Sequence, residues 1–173
     1  MSKHGNLDSF ATYALETGAR MTTQPLQFKA QTRVDASRDE LWALVTDFNR
    51  IGDFIPMVKR SYSDDSNAEV PGQVGAVRVI HAHGAPKPTL ETVKAFEAPR
   101  LLAYSAADEN LFGMFTEHLS VITCDPHPDG GAVFTWLAYG KPAKNPVMRL
   151  AGKGMFSGVL TAGTRNLAKR LSR

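Results

Sequence analysis

A chain of 173 residues is one domain's length with room for a sizeable core, and 43% apolar with 21% charged residues is the ordinary balance of a folded globular protein. No apolar run approaches the roughly 20 residues a membrane-crossing helix needs, the N-terminus lacks the apolar core of a secretory signal, and the single cysteine, Cys124, excludes an internal disulfide or a cysteine-based zinc cluster; a reducing, cytoplasmic setting is expected. The net charge of +3 is unevenly placed: from Lys141 to the C-terminus there are eight Lys or Arg and no Asp or Glu, which leaves −5 for residues 1 to 140.

Residues 1–25 stand apart as an N-terminal extension. Leu7, Phe10, Ala11, Ala14 and Leu15 follow helical spacing, with Asn6 as a cap and Gly18 as a stop. This predicts a short helix docked on the domain or on a second copy in a homodimer, or else a loose extension; residues 1–20 are expected to be dispensable for folding, because the capping box and the first strand begin after them. Leu26–Asp35 alternates Phe28, Ala30, Thr32 and Val34 with polar residues, as a half-buried strand does. Ser37-Arg-Asp-Glu40 is a capping box that opens a helix to Asp47, with Leu41, Trp42, Leu44, Val45 and Phe48 as its apolar stripe. A second short helix, Asn49 to Ile55, ends at Pro56. Strands are then expected at Met57–Asp64, Gly72–His83, Thr89–Phe96, Arg100–Ala106, Met114–Cys124 and Ala132–Gly140, separated by Gly, Pro, Asp and Asn turn signals. The last helix, Asn145–Leu171, contains Gly152, Gly154, Gly158 and Gly163, each costing about 1 kcal/mol against Ala. Such glycines open space for a ligand, or they let the helix pack closely on the sheet.

This order predicts an α+β domain over residues 26–173, an antiparallel sheet of about six or seven strands curled around the long C-terminal helix, with an enclosed cavity between them. Strand parity groups the candidate ligand-binding side chains by face, so that if Arg78 points inward Ile80 and Ala82 do too, and likewise on each following strand. The candidates are Arg78, Ile80 and Ala82 on one strand, Glu91 with Thr89, Val93 and Ala95 on the next, and then Leu102 with Tyr104. Phe115 follows with Glu117 and Leu119, then Trp136, while Met155 and Val159 come from the helix. A cavity of several hundred cubic ångströms is the usual size of such a site. The same parity turns His81 and His83 outward, and His118, opposite Glu117, toward the surface. Two histidines without a third ligand do not make a metal site. No phosphate loop, dinucleotide fingerprint or Ser-His-Asp order is present, so no metal or cofactor is expected. The cationic tail reads as a solvated face, or as an attraction for an anionic ligand group or a membrane surface. It lacks the interleaved aromatics of a nucleic-acid binder.

Several stretches resemble the START/SRPBCC superfamily of helix-grip proteins, which includes polyketide cyclase/dehydratase-like proteins, birch-pollen-allergen-like carriers and plant abscisic acid receptors. These are VDASRDELWALVTDFNRIGDFIP (Val34–Pro56), GQVGAVRVI (Gly72–Ile80), LETVKAFEAPRLLAYS (Leu90–Ser105) and GGAVFTWLAYG (Gly130–Gly140). The resemblance implies a carrier or sensor of a lipid-like, aromatic or isoprenoid molecule, or else a cyclase/dehydratase-like enzyme. Val45–Lys59 is also similar to the coenzyme Q-binding branch. Lys59, Arg78, Glu91 and Tyr104 match receptor positions that face the ligand, and HGAP (His83–Pro86) resembles the receptors' gate loop. Their second loop has no clear match in Asp108–Phe112.

Overall fold

A computed structural model describes residues 7–107 and 115–172. Asp108–Phe112, where the receptors' second loop finds no clear match, and the expected cap, Asn6, lie outside the described residues.

A 3-10 turn, Asp8–Ala11, runs into helix α1, Thr12–Met21. Strand β1, Leu26–Val34, leads to α2, Arg38–Thr46, and a second 3-10 turn, Phe48–Asp53. Six strands follow: β2, Val58–Asp64; β3, Val77–Ala82; β4, Thr89–Glu97; β5, Leu101–Ala106; β6, Phe115–Pro126; and β7, Ala132–Pro142. Helix α3, Pro146–Arg170, ends the chain. The sheet has seven antiparallel strands in the order β1-β7-β6-β5-β4-β3-β2. Curved around α3, it is the architecture the sequence predicts.

Local chemistry explains the ends of these elements. The Ser37 hydroxyl accepts the Glu40 N–H at 3.2 Å and the Glu40 carboxylate accepts the Ser37 N–H at 2.8 Å, so the capping box is complete. Asn145 accepts the N–H groups of Val147 and Met148 and starts α3, with Pro146 in its first turn. β3 begins at Val77 rather than Gly72 because the chain first turns through Gly72 and Gly75, both at positive φ; a Cβ on Gly75 would overlap the Asn67 carbonyl.

The sheet's two faces bury different clusters. On the concave face Val34, Val93, Leu102, Ile122 and Phe134 pack with Leu41 and Val45 of α2 and with Leu160 and Leu167 of α3. This solid core takes up α2 and the C-terminal half of α3. Residues 145–151, at the start of α3, are all exposed, and Phe156 further along packs against this core. On the convex face Leu101, Ala103, Leu119, Val121, Leu137 and Tyr139 are covered by Tyr13 and Ala14 of α1.

Register shifts occur in four strands, β1 among them, and three of these bear on the concave face. Register shifts between Val93 and Ala95 in β4, and between Thr116 and Leu119 in β6, each insert one residue. Ala95 and Leu119, expected on the inner face, therefore pack with the convex cluster. A third shift, between Val58 and Arg60, makes Lys59 the inserted residue of β2.

Candidate functional site

Between the N-terminal half of α3 and strands β3, β4 and β5 lies a cavity of about 500 Å³. Ile80 and Ala82 of β3, Thr89 of β4 and Trp136 of β7 form its floor, and Met155, Phe156 and Val159 of α3 form its roof. Met57, His83, Gly84 and Met148 line it while exposed to solvent, so the expected closed chamber is a pocket with a mouth.

One wall is polar. Arg78 and Glu91 are cross-strand partners, and both line the cavity. The Arg78 Nε donates to the Glu91 carboxylate at 2.6 Å, and a terminal guanidinium nitrogen pairs with the same oxygen. Burial works against the guanidinium charge, but the Glu91 carboxylate outweighs it and holds the Arg78 pKa above its usual value. The guanidinium also lies 4.2 Å from the Tyr104 ring centroid and 5.5 Å from that of Phe48. Burial, with the Glu91 charge next, pushes the Tyr104 phenol up to about 12, against Arg78 and Ser120, which pull the other way. The phenol is thus neutral and able to donate at any physiological pH.

His118 completes this wall, and the β6 bulge puts it there. Glu117 takes the left-handed conformation, φ 53°, which a non-glycine residue adopts only where the fold compels it. Its carboxylate turns out to Gln24, whose amide donates at 2.6 Å, and to Lys141 at 3.5 Å. The next side chain, His118, turns inward and lines the cavity. β5 and β6 stop pairing at Tyr104 and Ser120, and the His118 Nδ1 accepts the Ala106 N–H at 3.1 Å. An accepting Nδ1 leaves the proton on Nε2, which lies 3.1 Å from the Ser120 hydroxyl. The neutral imidazole is therefore held in one tautomer as a donor.

Of the expected site residues, Arg78, Ile80, Ala82, Glu91, Tyr104, Trp136, Met155 and Val159 come together around the cavity. Four do not. Lys59 is exposed, because the β2 bulge gives the inward place to Val58. Glu117 is exposed for the reason just given. Leu102 faces the right way but is fully buried in the concave core. Phe115 lies behind Phe156, ring centroids 5.3 Å apart, and supports the wall without lining it. His118, expected at the surface, is a member that parity missed; no Gly or Asn announces the bulge. His83 lies just past the end of β3, where alternation no longer applies, and it sits at the mouth. His81 faces outward as expected, stacked on Tyr62 with Arg60 at 3.2 Å.

The glycines of α3 divide between the two readings. Gly152 lines the cavity. Gly163 faces the core, where a Cβ would lie 3.4 Å from Ile55. Gly154 and Gly158 serve neither purpose, since a Cβ on either would meet nothing within 4 Å.

A family model described as "Polyketide cyclase / dehydrase and lipid transport" matches residues 25–172. No curated protein matches the chain. Among solved structures, the protein XoxI from Bacillus cereus is similar with a TM-score of 0.66 at 18% identity, over 83% of this chain and 94% of that one. A protein from Thermobifida fusca gives a TM-score of 0.66 at 25% identity, over 83% and 91%. A point mutant of norcoclaurine synthase from Thalictrum, in complex with a transition state analogue, gives 0.62 at 15% identity, over 87% and 97%. These likenesses place the chain among helix-grip folds.

Proposed function

Because the chain belongs to the polyketide cyclase / dehydrase and lipid transport family, we propose that it binds a hydrophobic small molecule bearing one polar end, as a carrier or sensor. The observation that carries this reading is the cavity of about 500 Å³, with an apolar floor and roof and one polar wall made by Arg78, Glu91, Tyr104 and His118. Burying a long or polycyclic apolar ligand supplies the affinity. Arg78 is already paired with Glu91, so its charge need not be met by the ligand. The neutral Tyr104 phenol can donate to a carbonyl or hydroxyl oxygen of the ligand, while the His118 imidazole beside it is held by Ala106 and Ser120. Lipid-like, aromatic and isoprenoid molecules all meet this description, a quinone with an isoprenoid tail among them.

Native mass spectrometry of freshly purified protein tests the reading, with titration of long-chain ketones and isoprenoid quinones followed through the Trp136 fluorescence. A co-purified small molecule, or saturable one-to-one binding that Ile80→Trp abolishes, is expected. Failure of every apolar probe to change the fluorescence or displace a cavity dye would sink it.

A second reading, an enzyme of the cyclase/dehydratase type, is favoured by the fixed tautomer of His118 beside the Tyr104 phenol, ring centroids 6.1 Å apart. Two groups able to exchange protons would then face one reacting oxygen. Incubation with a β-hydroxy ketone, followed by NMR, separates the readings. Water loss that disappears in His118→Gln supports the enzyme, and unchanged substrate supports the carrier.

A further inference from the structure

We propose that the N-terminal half of α3 docks on an anionic lipid bilayer and brings the mouth of the cavity to its surface. Val147 and Leu150 are 73% and 77% exposed, in the first turns of the helix. Apolar residues on all sides of a helix are ordinarily covered. Here Met155 and Phe156 cover the cavity, while Val147 and Leu150 look outward with no cover. The bare strip runs on along the helix, since Gly154 and Gly158 follow at the same helical face and have open space above them.

The charges around this strip select its partner. Lys144, Arg149 and Lys153 are exposed and form no ion pair among the described residues. No Asp or Glu occurs after residue 140. An apolar strip with cations beside it is the pattern of a helix lying in a membrane interface, its side chains sunk among acyl chains and its cations among anionic headgroups. A second copy docked on the same face about a two-fold axis would bring like cations together, which disfavours it. Met148 and Met155 are themselves 39% and 47% exposed and line the cavity. A docked helix would thus give a hydrophobic ligand a path from bilayer to cavity without crossing water; this consequence rests on the binding function proposed above, and the docking does not.

The test is flotation of the full chain with vesicles of phosphatidylcholine alone and of phosphatidylcholine with phosphatidylglycerol, at low and high ionic strength. Binding to the anionic vesicles should be at least about tenfold tighter, and salt should weaken it. Leu150→Glu and Val147→Glu, at positions too exposed to disturb folding, should keep the circular dichroism and melting of the parent and lose about tenfold or more in vesicle binding. Lys153→Glu should lose on the order of fivefold. No preference for anionic vesicles, or equal binding by parent and variants, overturns the proposal. A concentration-dependent dimer that Leu150→Glu dissociates, with no vesicle binding, also overturns it in favour of a second copy. Dye uptake by the cavity, measured without vesicles, separates the two ideas. Loss of dye uptake with vesicle binding retained fails the binding function alone, and the reverse fails the docking alone.

Discussion

At the scale of single residues, the polar wall of the cavity is where stability and binding meet. Glu91→Gln leaves the Arg78 charge buried without its partner and should lower stability by about 1–3 kcal/mol. The double change Arg78→Met with Glu91→Leu should recover much of that loss, because it removes both desolvated charges, and should not recover binding of a polar-ended ligand. Denaturant midpoints with a dye titration check both, and a single variant as stable as the parent would show the pair to be dispensable. Tyr104 predicts an alkaline effect. Its phenol is pushed from 10.0 up to about 12 in the folded protein. Below pH 10 both states hold the proton; between about 10 and 12 the unfolded chain releases it first. Stability therefore falls as pH rises through that window, by up to about 1.4 kcal/mol per pH unit for this group. Tyr104→Phe should flatten this limb without abolishing it, because Tyr13 and Tyr139 are raised too. A slope identical to the parent's would contradict the assigned burial. Arg78, Glu91 and Tyr104 were legible in the sequence because each lies on a regular stretch of strand. His118 was not, because alternation carries no sign of an inserted residue.

At the scale of elements, α3 and α1 use glycine for opposite reasons. Gly158→Ala in α3 adds a methyl group to open space and removes backbone freedom from the unfolded chain, so it should stabilise by about 0.5–1 kcal/mol. Gly163→Ala puts the same methyl 3.4 Å from Ile55 and should gain less or lose. Thermal melts of the two variants should diverge in that order, and equal shifts would argue against close packing at Gly163. In α1, Gly18 is no helix stop. It is buried in the helix, and a Cβ there would overlap the Tyr139 ring. Ala11, Ala14, Thr17 and Gly18 make one small-residue face that lets α1 lie close on the sheet. Its margins are tied down as well. The Tyr13 hydroxyl donates to Glu97 at 2.7 Å under the Arg100 guanidinium, and Lys29 pairs with Asp8 at 2.7 Å. Deleting residues 1–22 uncovers Leu119, Val121, Leu137 and Tyr139 and should lower the melting temperature and the solubility. A truncated chain that melts and dissolves like the parent would restore the reading of a dispensable extension.

At the scale of the whole molecule, the concave face is divided between a solid core and a cavity. α2 and the second half of α3 fill one part, and the first half of α3 spans the other, with Phe156 packed against the edge of the core. An apolar ligand that fills the cavity adds contacts that the unfolded chain lacks, so it should raise the melting temperature by mass action, about 2.7 kcal/mol at a hundredfold excess over Kd. A differential scanning series against ligand concentration checks this, and a melting temperature independent of every apolar probe would speak for an unused cavity. No helix of the described residues is long and apolar enough to cross a membrane. The sequence by itself determined the element order, the antiparallel sheet, the long final helix and the inner face of most strands. Capping residues, turn residues and period-two alternation act over a few neighbours and can be read directly. The tertiary structure alone decided which α3 glycines meet the core, which face α1 covers, and where the bulges reverse the alternation. Those outcomes depend on contacts between residues far apart in the chain, as at Glu117 and His118. There the pairing of β6 with β7 forces the extra residue out and turns a histidine into the cavity.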